Sequence, residues 1–353
     1  MKRSSIFPLA GHLLLLFLSS AFGSQAFASV NDELQIENSN FMRRTAYAHP
    51  DQIASDISPS GAEGPVNMAW EQTRTGKWYI EEQRYGAEAV SAGISQDDTS
   101  AIDRGLKILH WGFEQQQPDG GFDCPDPFHS TSFFVEASAR ARLLLGASSY
   151  RDRYASEIEW MKPRILKAAL WMITPGVEGT GRKNNAPYTH RRFLVGAALG
   201  MTGTLCNNQQ LLEHSKEYIG DGCSLQDPSG FNPEKGGYDS SYHAVGLVFA
   251  ERYYDFVADE DTKKELFKML KAANQWLKTR ILPDGTIDST GNTRTGFTQE
   301  KDRGGKYKKV SYAQTARTFY RWSLISGNSD FAKLADHVIE GERIFKRESK
   351  TNG

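Results

Sequence analysis

Two short stretches of the sequence each combine amide, imidazole, phenol and cationic side chains. The first stretch, residues 184–192, contains Asn184, Asn185, Tyr188, His190, Arg191 and Arg192. The second stretch, residues 235–247, contains Lys235, Tyr242 and His243. Each begins in a segment marked by Gly or Pro and continues into an apolar run, which predicts a loop at a helix start. Such side chains can hold a carboxylate and move a proton, and we interpret the two stretches as facing walls of one cleft.

The chemistry that fits this set is β-elimination from a uronic acid. The C5 proton becomes acidic only when the neighbouring carboxylate is neutralised by amides or cations. Asn184 or Asn185 would neutralise it, helped by Lys235, Arg191 or Arg192. Neither a metal nor another cofactor is needed for this reaction, and the sequence contains no CxxC or HExxH motif.

The same reaction needs a base for the C5 proton and an acid for the glycosidic oxygen. His190 would be the base. Tyr242 would be the acid, or both acid and base if nearby cations stabilise its ionised form. Only one of Tyr242 and His243 can face the cleft directly, so His243 is assigned to substrate binding. His129, which also precedes a helix, is a secondary candidate for binding.

The first 28 residues have the pattern of a signal peptide. Lys2 and Arg3 precede a short apolar run, and Ala26-Phe27-Ala28 forms a cleavage site. We therefore expect a periplasmic or secreted protein without membrane insertion after cleavage. The formal net charge is −1, and it becomes −3 without this segment. A nearly neutral chain argues against a nucleic-acid partner.

Three cysteines, Cys124, Cys206 and Cys223, would enter an oxidising compartment, where one disulfide is plausible. Cys206 and Cys223 flank a single short segment, so they are the expected pair. Cys124 would then remain a free thiol. Three unpaired thiols are the alternative.

Hydrophobic periodicity predicts an all-α chain. Residues 29–60 are polar and are interpreted as an extended N-terminal arm, and residues 61–353 as a single domain. Helices are predicted at 66–85, 101–114, 130–145, 154–173, 192–201, 211–219, 241–257, 262–281, 310–326 and 331–345. Three loops look alike, namely 120–123, 236–239 and 284–288. When the loop at Asn184 is included, four units begin about 50–60 residues apart, which is typical of helical hairpin repeats. Helices rich in small residues suit an inner ring, so we expect an incomplete (α/α)5–6 toroid of helical hairpins.

The run Asn184-Asn185-x-x-Tyr188 and the run Lys235-Gly-Gly-x-x-x-x-Tyr242-His243 resemble the two active-site motifs of the periplasmic alginate lyase family. The resemblance implies an incomplete (α/α) toroid that cleaves uronate polysaccharides by β-elimination. It also implies that Asn185 neutralises the carboxylate, that Tyr242 is the catalytic phenol, and that Lys235 stands where that family has Arg. The family has His directly after the paired Asn, whereas this chain has Ala186, and His190 would replace that imidazole.

Two other functions fit the same layout. A glycoside hydrolase would need two carboxylates in the cleft, and the candidates are Asp123, Asp126, Asp239, Asp284 and Asp288. A non-catalytic polysaccharide-binding protein would bind the same anionic polymer without turnover. The basic run 301–309 is interpreted either as a surface loop or as a lid over an acidic polymer.

Overall fold

The computed structural model describes residues 30, 32–33, 35–36, 79–296, 299–302 and 305–351. The predicted signal peptide and most of the predicted arm lie outside these residues. The five described residues of the arm are helical rather than extended. In the described part of the chain, no helix is long and apolar enough to cross a membrane.

The described residues contain a short 3₁₀ helix, Ile80–Arg84, followed by eleven α-helices. The α-helices are α1 (Tyr85–Ser95), α2 (Thr99–Glu114), α3 (Pro127–Ala147), α4 (Ala155–Met172), α5 (Pro175–Asn185), α6 (Thr189–Cys206), α7 (Gln209–Ser224), α8 (Ser240–Phe256), α9 (Glu260–Lys278), α10 (Tyr312–Ser326) and α11 (Asp330–Thr351). Local signals explain several starts, since Asp98, Asp239 and Ser311 cap α2, α8 and α10 through hydrogen bonds to backbone N–H groups.

Five helical hairpins form the architecture. The inner helices α1, α3, α6, α8 and α10 pack against one another in that order, and their outer partners are α2, α4, α7, α9 and α11. Helices α1 and α10 do not pack extensively, so the ring is incomplete, although Glu88 on α1 pairs with Arg317 on α10 at 3.0 Å. The inner helices are the ones rich in small residues, as expected, because Ala, Ser and Gly allow close approach of neighbouring helices. The predicted all-α incomplete toroid is confirmed.

The repeat in the structure agrees with the repeat predicted from the sequence except at the second of the three similar loops. The equivalent positions are Gly120, Gly230 and Gly285, each with positive φ. A Cβ atom at these glycines would collide with a carbonyl oxygen of the outer helix, respectively that of Lys167, Ala272 or His337. The second repeat therefore begins at residues 227–232 and not at Gly236-Gly237. The later glycine pair belongs to a turn that forms part of the site described below.

The stretch predicted as the 184–192 loop is mostly helical. Asn184 and Asn185 end α5, a short helix that begins with Pro175 at its first position. Helix α6 begins at Thr189, three residues earlier than predicted. The sequence from 175 to 185 is polar, with little apolar periodicity, and that is why the pattern missed this helix.

Cys206 and Cys223 do not form a disulfide bond in the structure. Helices α6 and α7 form an antiparallel hairpin, with Cys206 at the turn and Cys223 near the far end of α7. Cys223 lies 14 residues beyond the start of α7, a distance of about 21 Å along the helix. A disulfide requires Cα atoms within about 7 Å. The expected pairing of Cys206 with Cys223 is therefore wrong for this fold.

A cluster of buried charges lies deep inside the ring, and we call it the central charge cluster. It consists of Glu33, Glu88, Glu136, Arg140, Arg252, Arg317 and Arg321. Arg140 is 13 residues beyond the start of α3, about 20 Å below the mouth. The carboxylates of Glu88 and Glu136 accept hydrogen bonds from Arg140 at 3.0 and 3.1 Å. The cluster joins inner helices from opposite sides of the ring.

Candidate active site

An open cavity of about 980 Å³ lies at one mouth of the ring. The first turns of the inner helices line it, through Tyr85 on α1, His129 on α3, His190 on α6, Tyr242 on α8 and Gln314 on α10. The side-chain rings of His190 and Tyr242 are 4.8 Å apart between centroids, at an angle of 42°. The structure thus brings together one residue from each stretch singled out in the sequence.

The imidazole of His190 is held by a buried carboxylate. Its Nδ1–H donates to Oε1 of Glu234 at 2.8 Å, and its backbone N–H donates to the same oxygen at 3.0 Å. Burial would raise the pKa of Glu234, but the interactions with His190 and the charge of Arg294 lower it. An ionised carboxylate only accepts hydrogen bonds, so Nδ1 carries the proton and Nε2 is left with a lone pair.

His190 is only 2% exposed, and this burial sets its protonation state. Burial lowers the pKa of His190, and the carboxylate of Glu234 only partly offsets the effect. The imidazole is therefore neutral at neutral pH. A neutral imidazole with a fixed tautomer can act as a general base.

A guanidinium group covers the ring of Tyr242. The Cζ atom of Arg294 lies 3.5 Å from the ring centroid of Tyr242 and 4.6 Å from that of Tyr188. Nε of Arg294 donates to Glu300 at 3.2 Å, and Nη1 donates to Glu234 at 3.4 Å. Burial opposes this charge, but Tyr242, Glu234 and Glu300 together raise the pKa of Arg294.

Asp239 attaches the loop that carries Arg294 to the start of α8. Its Oδ1 accepts from the backbone N–H groups of Ser241 and Tyr242, which caps the helix. Its Oδ2 accepts from the backbone N–H groups of Arg294 and Thr295 at 2.9 and 2.7 Å. One buried carboxylate thus sets the position of Arg294 relative to Tyr242.

Asn185 is buried and contacts a cavity residue without lining the cavity itself. Its Oδ1 accepts from Nη1 of Arg191 at 2.8 Å, and Asp126 accepts from the same nitrogen at 3.1 Å. Arg191 lines the cavity, and its Cζ lies 4.4 Å from the ring centroid of Tyr188. Nδ2 of Asn185 is buried without a hydrogen-bond partner among the described residues. The amide of Asn185 was predicted to contact the substrate directly. In the structure it instead binds Arg191, and Arg191 lines the cavity.

Four of the residues assigned to substrate binding are placed elsewhere. Asn184 is exposed and outside the cavity lining. Arg192 donates to the carbonyl oxygens of Tyr188 and Ala186, both at 3.1 Å, so it holds the segment that follows α5. Lys235 is paired with Glu300.

The fourth residue, His243, is structural. Its Nδ1 accepts from the backbone N–H of Asn232 at 3.0 Å, and its Nε2–H donates to the carbonyl oxygen of Ala273 at 3.1 Å. Burial lowers the pKa of His243 to about 4. Both ring nitrogens are engaged by backbone groups, so the geometry does not support the substrate-binding role assigned to His243.

His129, the secondary candidate for substrate binding, lines the cavity. Its ring centroid is 6.4 Å from that of His190 and 5.0 Å from that of Phe133. Tyr188 does not line the cavity, but its ring contacts the two arginines Arg191 and Arg294.

The carboxylates proposed for a hydrolase do not meet at the cavity. Of the five aspartates named, only Asp126 lines it. Asp239 caps α8, Asp284 accepts from Thr286, and Asp288 pairs with Arg280. Four glutamates do line the cavity, namely Glu81, Glu82, Glu88 and Glu136. Glu81 accepts a hydrogen bond from Ser130 at 3.0 Å, and Glu88 and Glu136 belong to the central charge cluster, which forms the deep end of the cavity.

Reasoning from the sequence missed Glu234, Arg294 and Glu300. Glu234 directly precedes the Lys235-Gly236-Gly237 run, which was the only local signal for it. Arg294 lies in a polar loop 60 residues from its partner Glu234. No local pattern indicates such a pairing.

No family model matches this chain, and no curated protein matches its sequence. Among solved structures, the Streptomyces coelicolor A3 chondroitin AC lyase in complex with chondroitin sulphate is similar, with a TM-score of 0.56 at 10% identity. The similarity covers 86% of this chain and 43% of that chain, so this chain spans less than half of the length of that lyase. The fold is therefore an all-α toroid of the kind found in that polysaccharide lyase. The closer resemblance to alginate lyases stays a prediction.

Proposed function

We propose that this protein cleaves an anionic polysaccharide containing uronic acid by β-elimination. The observation that carries the proposal is the geometry of His190. Its neutral imidazole, with the tautomer fixed by Glu234, lies beside the phenol of Tyr242 in an open cavity lined by cations. Support also comes from the fold, which is similar to that of the chondroitin AC lyase at 10% sequence identity.

In the proposed reaction, Nε2 of His190 removes the C5 proton of the uronic acid. The electron pair forms a C4–C5 double bond, and the C4–O4 bond breaks. The phenol of Tyr242 donates its proton to the leaving O4. The products are an unsaturated uronide and a new hydroxyl end. The Glu234 carboxylate stabilises the imidazolium that forms.

Carboxylate neutralisation is assigned to two of the arginines that line the cavity, Arg191 and Arg294. Arg294 lies over Tyr242, and Arg191 is held by Asn185 and Asp126. Guanidinium groups match the planar geometry of a carboxylate and remain charged at any working pH. In this proposal Asn185 positions Arg191, which modifies the direct role that the resemblance implied for the amide.

The charge of the cavity supports an anionic substrate. Nine lining residues are Lys or Arg, whereas six are Asp or Glu. A cleft with an excess of one sign raises the local concentration of oppositely charged ligands. The partner expected from the sequence, an anionic polysaccharide, is therefore retained.

A panel of uronate polysaccharides tests the proposal, with ultraviolet absorbance as the readout. Elimination creates an unsaturated uronide that absorbs in the ultraviolet, and hydrolysis does not. We expect absorbance to rise with at least one polymer, and to be lost in Tyr242→Phe and His190→Gln. New reducing ends without absorbance would indicate a glycoside hydrolase instead. Retention of a polymer without either product would indicate a binding protein.

A further inference from the structure

A basic turn forms one rim of the cavity beside Tyr242. We define it by its cavity residues Lys301, Asp302, Lys306, Tyr307, Lys308 and Lys309. Its two arms are paired antiparallel, with a bridge between Lys301 and Tyr307. The N–H of Asp302 donates to the carbonyl oxygen of Lys306 at 2.7 Å, and that of Lys308 donates to Glu300 at 2.8 Å. These backbone hydrogen bonds join the described residues on the two sides of the turn.

Glu300 attaches the basic turn to the candidate active site. Its carboxylate accepts from Lys308 at 2.8 Å and from Arg294 at 3.2 Å, and it also pairs with Lys235. Burial would raise the pKa of Glu300, but Lys235, Lys308 and Arg294 lower it to about 2. Glu300 thus connects Lys308 of the basic turn to Arg294, whose guanidinium lies over the ring of Tyr242.

Three lysines of the basic turn differ from Lys308. Lys301, Lys306 and Lys309 are exposed, and among the described residues none has a carboxylate within ion-pair distance. Asp302, the one acidic residue of the turn, accepts the backbone N–H of Lys306 at 2.9 Å. The turn therefore places three exposed lysines along the cavity, none of them paired with a carboxylate of the described residues. Nζ of Lys309 lies 5.8 Å from the ring centroid of Phe345.

The same rim carries a large exposed aromatic ring. Tyr307 is 46% exposed and lines the cavity. Nζ of Lys301 lies 5.1 Å from its ring centroid. An aromatic face packs well against the C–H groups of a sugar ring, because these groups are weakly positive and the face is negative. Aromatic and cationic groups next to each other are suited to a charged sugar.

We propose that the basic turn binds the sugar unit next to the one that is cleaved. Tyr307 stacks on the ring of that sugar, and Lys301, Lys306 and Lys309 bind its acidic group, a carboxylate or a sulfate. The turn thereby selects polymers with negative charge on units flanking the cleaved bond. This inference rests on the proposed function and names a second recognition element for the same substrate.

The test compares Lys301→Gln/Lys306→Gln/Lys309→Gln with the wild type and with a matched triple variant. The matched control is Lys107→Gln/Lys268→Gln/Lys271→Gln, whose lysines are exposed on outer helices and away from the cavity. Binding is measured by affinity electrophoresis in polygalacturonate, whose charges are all carboxylates, and in chondroitin sulfate, which also carries sulfates. Turnover of each polymer is followed separately by ultraviolet absorbance.

We expect the triple variant of the basic turn to bind at least one polymer about tenfold more weakly, since each exposed charge contact contributes modestly. The loss should shrink at about 1 M salt, where the Debye length is about 3 Å. Tyr307→Ala should bind about threefold to tenfold more weakly with little salt dependence. The polymer on which the lysines have the larger effect identifies the acidic group.

Equal binding by the wild type and the triple variant would overturn the inference, and so would an equal loss in the matched control. Failure of the wild type to bind either polymer would overturn it as well. Lysine-dependent binding without ultraviolet product would leave the inference standing and contradict the lyase proposal. If the triple variant forms ultraviolet-absorbing product with an unchanged KM, the lyase proposal stands and the inference about the basic turn is contradicted.

Discussion

Two groups of buried charges lie in the same ring and differ in which groups they contact. In the central charge cluster, the carboxylates of Glu88 and Glu136 are each shared by at least two arginines. At the mouth, Glu234 pairs with His190 and Arg294, which also contact the ring of Tyr242. The charged groups of the central charge cluster pair with one another, whereas Arg294 and the Glu234–His190 pair at the mouth lie against Tyr242, and both His190 and Tyr242 can transfer protons.

The two groups of charges have different roles. Buried arginines that lose their carboxylates are very costly, so the central charge cluster holds the inner helices in one arrangement. The mouth uses the same kind of pair to fix a tautomer and to place a cation. Changes in the deep cluster should therefore reduce stability, and changes at the mouth should reduce activity.

The largest effect is expected on kcat, for a substitution of Tyr242 at the mouth. Tyr242→Phe removes only the phenol hydroxyl and keeps the ring under Arg294, so kcat should fall about 10²- to 10⁴-fold. The free energy of unfolding should change by less than about 1 kcal/mol. Initial rates from ultraviolet absorbance and urea unfolding measure the two quantities. More than a tenth of the wild-type kcat would exclude Tyr242 as the acid.

The central charge cluster should show the opposite response. Glu88→Gln removes the buried negative charge that pairs with Arg140 and Arg317, and it should lower the free energy of unfolding by about 3–5 kcal/mol. The control is Glu159→Gln, which breaks an exposed pair with Arg142 at 3.3 Å and should cost less than about 1 kcal/mol. Similar losses in both variants would contradict a special role for the deep cluster.

The same variant gives a pH signature. Burial would raise the pKa of Glu88, but Arg317, Arg140 and Arg252 hold it well below its ordinary value of 4.5. A depressed pKa in the folded state stabilises the protein above the unfolded pKa, and this stabilisation is lost as the pH falls. The difference in unfolding free energy between wild type and Glu88→Gln should therefore shrink below about pH 4.5.

Glu234→Gln should have an intermediate effect on kcat, because Glu234 orients His190, the proposed base. Loss of the carboxylate releases the tautomer of His190, and kcat should fall about 10- to 100-fold. Wild-type activity should decline only below the ordinary imidazole pKa of 6.5, because burial lowers the pKa of His190. Without the negative charge that favours imidazolium, this decline should move to still lower pH. A pH profile of kcat that is identical in both proteins would argue against His190 as the base.

The smallest effect is expected for the substitution of Arg192, which is adjacent to Arg191 in the chain. Arg192→Ala removes hydrogen bonds to backbone carbonyls, so it should lower the unfolding free energy by about 1 kcal/mol and leave kcat/KM within about twofold. Arg191→Ala is the matched comparison, and its kcat/KM should fall by about tenfold or more. Equal kinetic losses would show that the cavity does not distinguish the two side chains.

Local signals in the sequence predicted much of the fold. The helix expected at 241–257 is observed at Ser240–Phe256, and the one expected at 310–326 at Tyr312–Ser326. Apolar periodicity and capping residues act over one or two turns, so they are visible without the tertiary structure. The polar helix α5 lacks that periodicity and was missed.

The candidate site was predicted only in part, because its contacts span large distances along the chain. His190 and Glu234 are 44 residues apart, and Arg294 meets Asp239 across 55 residues. The choice between Tyr242 and His243 depends on which side of α8 faces the cavity. Packing against α9 takes His243 to the carbonyl oxygen of Ala273 and leaves Tyr242 at the mouth.

By itself, the sequence determined the helical class of this protein, the inner position of its small-residue helices and two stretches rich in polar chemistry. These properties follow from propensity and periodicity, which are local. The tertiary structure alone decided that Glu234 orients His190, that Arg294 covers Tyr242 and that Arg192, Lys235 and His243 bind other parts of the protein. Such pairings depend on which helices and loops become neighbours, and the packing of the hairpins into an incomplete ring sets that arrangement.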